Sequence, residues 1–247
     1  MVTHIVILYY KRPQNLDSQL DNLNLQTQKN LHVHILNNGS TDLIPKTSPS
    51  AYHFQLSIVK RNNQHKCMER YFYVRDHLLT TSPSSSPSTS PSPPYVIFLD
   101  DDQFLPSPHW VFQLVHQAKP FHMLTWYGKT FKKHSDYWIP ALTSSRTLLP
   151  RHRLKSLDYG GPGGSLICTS IFRPDSPLWR ISQELKEKCY IMDDLWLCHI
   201  LKKQHVKIQL AQIQSIISIK DVEPGTALYR QLIRNKREFF KELQALS

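Results

Sequence analysis

Residues Tyr95–Asp102 read YVIFLDDD, in which a run of apolar, β-branched and aromatic residues stops at three consecutive carboxylates, Asp100, Asp101 and Asp102. Like charges on adjacent residues repel, and taking them out of water is costly unless a cation lies among them. Ligands that offer only oxygen suit a hard divalent ion, Mg2+ or Mn2+, which commonly keeps positions open for substrate phosphates. If the strand's alternation runs on through the cluster, Asp100 and Asp102 share a face and converge on one ion while Asp101 points away. The bland alternative is a solvated acidic turn ahead of Pro106 and Pro108. Nothing structural asks for three acids directly after a core strand, so the metal reading is preferred.

Three further motifs are chemically suggestive. Asp193 and Asp194 precede Leu195, Trp196, Cys198, His199 and Leu201, an amphipathic helical pattern, and two acids at a helix start are explained by capping and the helix dipole alone. Gly160-Gly161-Pro162-Gly163-Gly164 holds four of the seven glycines and runs into the strand-like Ser165–Phe172. Such a loop allows close backbone approach to a ligand, with Trp126, Tyr127 and Tyr159 as stacking faces, or equally makes a tight bend at a sheet edge. It is no phosphate P-loop, because no Lys-Ser/Thr follows at the required spacing. Asn37-Asn38-Gly39-Ser40 is strong turn chemistry.

The elements that must position these residues alternate. Thr3–Tyr9, Leu31–Leu36, Phe54–Val59, Tyr95–Leu99 and Met123–Trp126 read as strands, and the near-continuous apolar character of the first predicts a strand covered on both faces. Helices are predicted over Arg12–Thr27, Gln64–Leu79 and Pro108–Ala118, giving βαβ units around a mainly parallel α/β sheet with ligands at the strand C-terminal ends. The block 82–94 is almost wholly Ser and Pro and is expected to be a solvated loop inserted within one domain, removable without loss of activity. Past Gly225, Leu228, Leu232, Phe239, Leu243 and Leu246 form a stripe on a C-terminal amphipathic helix over 225–247, expected to pack on the core. Docking of its basic flank on an acidic membrane is the weaker alternative.

With 247 residues and 40% hydrophobic content the chain can bury a full core. Thirty Lys+Arg against 19 Asp+Glu give +11, which favours polyanionic partners or phosphate-bearing ligands. Cys67, Cys168, Cys189 and Cys198 make no CxxC pair and no zinc spacing, so reduced, mostly buried thiols and a cytosolic setting are expected, with no membrane span.

The opening strand followed by Tyr10-Lys11-Arg12-Pro13, the second strand ending in Asn37-Asn38-Gly39-Ser40-Thr41-Asp42, the Asp100–Asp102 cluster, Gly160–Gly164 and Asp193-Asp194 stand in an order that resembles the nucleotide-sugar-dependent glycosyltransferases of GT-A fold. The resemblance spans roughly Thr3 to Leu201. The compact size is similar to small glycosyltransferases of large algal viruses, and the Asn-Asn turn also resembles exostosin-type domains.

That resemblance implies a donor site in which Asp102, with Asp100, holds Mn2+ or Mg2+ against the diphosphate, while Asp100 or Asp101 takes the ribose. Tyr9, Arg12 and Asn38 would touch the base and ribose, with Arg61 near the nucleotide. Asn37-Asn38 departs from the commoner acidic turn, and an amide can still pair with uracil, so a UDP-sugar is expected and a GDP-sugar is left open. Trp126, Tyr127, Tyr159, Gly161, Gly163 and Gly164 would line the pocket for sugar and acceptor. The resemblance also implies that Asp194, or second Asp193, is the general base of an inverting transfer to a hydroxyl of a glycan or glycoprotein. His205, Lys220, Arg230 and Arg234 are weaker candidates for a further metal or phosphate contact. A nucleotidyltransferase lacks its basic Gly-rich loop here, and a nucleic-acid-binding protein finds no recognition motif beyond the dispersed positive charge. A sugar-binding protein without catalysis is disfavoured by the presence of both Asp102 and Asp194.

Overall fold

The computed structural model describes residues 2–79, 95–120, 122–131, 137, 142–144, 156–218 and 233–246. The Ser/Pro block 82–94, Lys220, Arg230, Leu228 and Leu232 lie outside these described residues.

The fold is mixed α/β, built on a seven-stranded, mainly parallel sheet. Strands β1 (Thr3–Tyr9), β2 (Leu31–Asn37), β3 (Gln55–Lys60), β4 (Tyr95–Asp100), β6 (His122–Thr125), β10 (Ser165–Cys168) and β11 (Lys207–Leu210) take the order β11-β6-β10-β4-β1-β2-β3. Only β10 runs against its neighbours β4 and β6. Two smaller sheets flank it: β7 (Gly128–Thr130) with β8 (Leu142–Ser144) and β9 (Tyr159–Gly160), and β5 (Gln103–Phe104) with β12 (Ile217–Ser218).

Strand β1 is buried except at the half-buried His4, because the sheet is covered on both sides, as its apolar run predicts. Ile5, Ile7 and Tyr9 enter a core completed by helices α1 (Leu16–Asn24) and α3 (Trp110–His116). Val6 and Leu8 enter the other, shared with α2 (Glu69–Tyr73), α4 (Lys186–Ile191), α5 (Asp193–Lys203) and α6 (Ile233–Ala245). Each fully buried large apolar side chain in these layers contributes about 1.5–3 kcal/mol. Pro13, in a 3-10 turn (Pro13–Asn15), leads into α1, whose Leu16, Leu20 and Leu23 face the core.

The single helix expected over Gln64–Leu79 is broken into a 3-10 turn (Lys66–Met68), α2 and a π-helical turn (Val74–Leu78). The strand-like Ser165–Phe172 pairs only to Cys168 and closes as a 3-10 turn. Helix α6 anchors through Phe239 and Leu243, whereas Leu246 of the expected stripe is exposed. Among the described residues no helix is long and apolar enough to cross a membrane. All four cysteines are free, and all but the half-buried Cys67 are buried.

The register decides where chemistry can happen. Tyr9 sits opposite Asn37, Asn37 opposite Lys60, and Leu8 opposite Asp100, so four parallel strands end level with one another.

Candidate functional site

At that edge the chain leaves β4 after Asp100, and Asp101-Asp102 form a turn into β5. The alternation that would have put Asp100 and Asp102 on one face therefore ends one residue too early. Asp100 Oδ1 accepts from Arg70 Nη1 at 2.9 Å, and Gln103 grips the same residue, its Oε1 accepting from Asp100 N at 3.0 Å. Asp101 does not point away into solvent. It is buried, accepting from Arg12 Nη1 at 2.7 Å and from the Tyr10 amide at 3.2 Å, and burial, opposed by Arg12, raises its pKa. Asp102 keeps 27% of its side chain exposed, with Arg12 Nη2 at 3.6 Å.

The three aspartates thus do not form a ready three-ligand cage. Their oxygens nonetheless fit a hard cation of the Mg2+ type, which commonly takes one or two protein carboxylates and completes its shell with water and substrate phosphate. Asp100, with 38% of its side chain exposed, and Asp102, with 27%, are the two carboxylates of the cluster that solvent reaches, and Asp100 shares its Oδ1 with the Arg70 guanidinium.

Helix α2 supplies what the sequence did not reveal. Arg70, buried at the sheet edge, bonds Asp100 and lies 3.4 Å by its Nε from Asp193 Oδ2. Burial works against this guanidinium's charge, but Asp193 and Asp100 outweigh it. The carboxylate cluster after β4 and the acid pair opening α5 are therefore joined through one cation.

The two acids of that pair differ. Burial pushes Asp193 up to about 6, against Arg70, with Asp194 adding to the rise. Asp193 Oδ2 faces the Arg70 guanidinium, with no closer charged partner among the described residues. Asp194 is also buried, which alone would raise it, but Lys236 and hydrogen bonds hold its carboxyl below the ordinary value. Its Oδ2 accepts from Lys236 Nζ at 2.6 Å and Tyr159 Oη at 2.7 Å, and its Oδ1 from the Leu195 amide at 3.0 Å. Tyr137, whose ring meets that of Tyr159 edge-on at 5.5 Å, and Lys129, its Nζ 3.9 Å over the Tyr137 ring, complete this surround. Burial and Lys236 lower Lys129 to about 8.

On the nucleotide side the outcome is mixed. The Tyr9 ring is buried and its hydroxyl donates to Gln19 Oε1 at 2.5 Å, so Tyr9 is a core residue and its expected contact to a nucleotide is withdrawn. Tyr10, one residue on, is 48% exposed, with Lys11 Nζ 5.1 Å from the centre of its ring. Arg12 is at the site but serves Asp101 and Asp102. Arg61 is tied to the fully buried Glu69, Nε to Oε1 at 2.6 Å, with His65 on the other oxygen, so it braces the loop before α2. Asn38 is buried, donates to Lys66 O at 2.9 Å and has its Oδ1 without a donor among the described residues. Asn37 closes the turn onto the Gly39 amide, and a Cβ at Gly39 would meet Tyr10 O at 2.2 Å.

The glycine loop also sorts itself residue by residue. A Cβ on Gly163 would fall 2.0 Å from Asp100 Oδ2, so this position must be bare for the loop to lie on the aspartate. Gly164 has φ +80° and packs against Trp126, whose indole N–H donates to Gly163 O at 2.9 Å. Gly161 faces open space. Trp126 and Tyr127 stay half-buried at this rim, but Tyr159 is buried and acts through its hydroxyl instead of as a stacking face. His205, exposed at positive φ before β11, and Arg234, paired with Glu238 on the surface of α6, take no part. A pocket lined by His122, Cys168, Arg173, Asp175 and Gln204 lies toward the start of β4 and includes none of Asp100, Asp101, Asp102, Asp193 and Asp194.

The sequence matches no family model and no curated protein. The structure is similar to the mannosyltransferase PcManGT from Pyrobaculum calidifontis, solved in complex with GDP-Man and Mn2+, at TM-score 0.54 and 14% identity over 98% of this chain and 64% of that one. It is also similar to S. aureus TarS 1-349, at TM-score 0.46 and 12% identity, over 89% of this chain and 60% of that one. The likeness to the mannosyltransferase is one of fold, the GT-A-like architecture that the order of motifs implied, and this chain spans 64% of that protein's length.

Proposed function

We propose that this protein is a metal-dependent glycosyltransferase that moves a sugar from a nucleoside diphosphate sugar to a hydroxyl of a glycan or glycoprotein acceptor with inversion. The observation that carries the reading is the link through Arg70, which sets the carboxylate cluster of β4 beside the acid pair of α5 at the C-terminal edge of the sheet. That is where open α/β sheets bind ligands. The fold shared with a GDP-mannose-binding mannosyltransferase supports it.

Asp102, with Asp100, would hold Mn2+ or Mg2+, which when bound supplies neutralisation of charge developing on the departing diphosphate. The protein's own groups do the rest. Asn38 Oδ1, a buried acceptor in search of a donor, suits the imide N–H of uracil and so favours a UDP-sugar; guanine, with its own ring N–H, is the other fit. Tyr10 offers a stacking face, Asp101 fixes Arg12, and the bare Gly163 lets the sugar-side loop lie on Asp100. Trp126 and Tyr127 line the rim where sugar and acceptor meet.

Asp194 is the proposed general base. It stays ionised, and of the two donors on its Oδ2 the neutral Tyr159 Oη is the one that an acceptor hydroxyl would replace, the Lys236 pair remaining to hold the charge. Asp193 is the second reading, favoured by its value of about 6, since a base works best near the operating pH. Incubation with UDP- and GDP-sugars, Mn2+ and a panel of glycan acceptors tests the reading. Acceptor-dependent release of nucleoside diphosphate with a new glycosidic product supports it, and absence of release from every donor in both nucleotide classes overturns it.

A further inference from the structure

The opposite end of the sheet carries a cluster that the transfer chemistry does not use. His4 of β1 lies directly across from His32 of β2, and His34 is two residues further along β2 on the same face. The other residues of these strands on that face, Val6, Leu8 and Leu36, are buried and apolar. Three imidazoles together break an otherwise apolar pattern, at about 13 Å along β1 from the level of Asp100.

We propose that His4, His32 and His34 form a binding site for a borderline divalent metal ion of the Zn2+ class. One ring nitrogen from each of the three lies within 4.8 Å of the others, and His4 Nδ1 stands 2.9 Å from His34 Nε2. A tetrahedral ion with metal–nitrogen bonds of about 2.0–2.1 Å spaces its ligand atoms by about 3.4 Å. The rings now stack, His32 on His34 at 3.9 Å and His4 on His34 at 5.2 Å between centroids, so the half-buried His4 and His32 rings must turn out of the stack to aim their nitrogens at a shared ion. The opposite nitrogens are already engaged. Tyr73 Oη sits 3.0 Å from His34 Nδ1, and Ser57 Oγ sits 2.8 Å from His32 Nε2. Hydroxyls in these places fix tautomer and ring orientation, the job that second partners do for metal-bound imidazoles. The partial exposure of His4 and His32 leaves room for water as a fourth ligand. Imidazole selects Zn2+, Ni2+ or Cu2+, whereas the aspartate edge, with oxygen alone, selects Mg2+ or Mn2+. The two sites therefore separate by chemistry as well as by position.

The test is calorimetric titration of Zn2+ into the full chain, free of any polyhistidine tag, in excess Mg2+ to occupy the carboxylates, with Co2+ absorption as a second readout. One equivalent of Zn2+ is expected, with a Co2+ spectrum of nitrogen ligation. Affinity should fall more than about tenfold in His4→Gln/His32→Gln and about tenfold in Tyr73→Phe, and be unchanged in Asp102→Ala. Because His4 and His32 are partly exposed, single His4→Gln is the fallback should the double variant fail to fold. Wild-type protein that binds no Zn2+ and gives no such Co2+ spectrum, or that binds Zn2+ as well after the His4 change, overturns the proposal.

Discussion

Lys236 Nζ lies 2.6 Å from Asp194 Oδ2, an ion pair that is almost wholly buried and joins helices 42 residues apart in sequence. It makes helix α6 part of the site, because the group that holds Asp194 ionised arrives on the same helix that plugs Phe239 and Leu243 into the core. Breaking a buried pair by removing one partner strands the other charge.

Lys236→Met is accordingly expected to destabilise the protein by about 3–5 kcal/mol. Urea unfolding at neutral pH measures this. A loss below about 1 kcal/mol, the size of a surface pair, would show that the charge on Asp194 is supported in some other way.

Asp194→Asn strands Lys236 and is expected to lose stability as Lys236→Met does, while the folded variant keeps nucleotide-sugar binding and its turnover drops by about 10²–10⁴, the usual share of a general base. Donor affinity by calorimetry and product release by chromatography separate the two effects. Turnover close to wild type would take Asp194 out of the chemistry and transfer the role to Asp193.

The pH profile discriminates between the same two residues. Asp193 has its folded value raised to about 6, so its protonated form is favoured by folding, and the stability it lends is present below the ordinary carboxylate value and lost as pH rises through about 6. If Asp193 were the base, kcat/KM would fall as pH drops below about 6. With Asp194 as base, held below its ordinary value, that limb is absent and activity persists to lower pH. Rates from pH 5 to 8 on wild type and Asp193→Asn distinguish the profiles.

Two neighbouring glycines provide a matched comparison. Gly163→Ala puts a methyl 2.0 Å from Asp100 Oδ2 and is expected to weaken Mn2+-dependent nucleotide binding at least about tenfold, whereas Gly161→Ala meets nothing within 4 Å and is expected to bind as wild type. Equal affinities for the two variants would argue that the Gly163 contact does not shape the donor site.

The sheet and its cargo of acids were legible because they rest on local patterns. The buried β1 run, the Asn37–Ser40 turn and the acids directly after β4 and before α5 are visible as strings. What was not legible depends on side chains meeting across the fold. Arg70 is one arginine in a predicted helix, and only the packing of α2 under β4 and α5 shows that it serves Asp100 and Asp193 together. Lys236 is one cation among thirty, given meaning by the docking of α6. Tyr9 shares parity with Ile5 and Ile7, which puts it on the core-facing side and not at the nucleotide edge that the order of motifs implies. Strand alternation cannot relate Asp100 to Asp102, because the strand stops at Asp100.

The most direct measurement is the melting temperature with UDP and with GDP, each with and without Mn2+, on wild type and Asp102→Ala. Ligands that bind the folded state raise it by mass action, about 2.7 kcal/mol at a hundredfold excess over Kd. The expected result is a Mn2+-dependent rise with one nucleotide, UDP ahead of GDP, that disappears in Asp102→Ala. No rise with either nucleotide, or a rise that survives loss of the Asp102 carboxylate, would contradict a metal-assisted donor site at the end of β4.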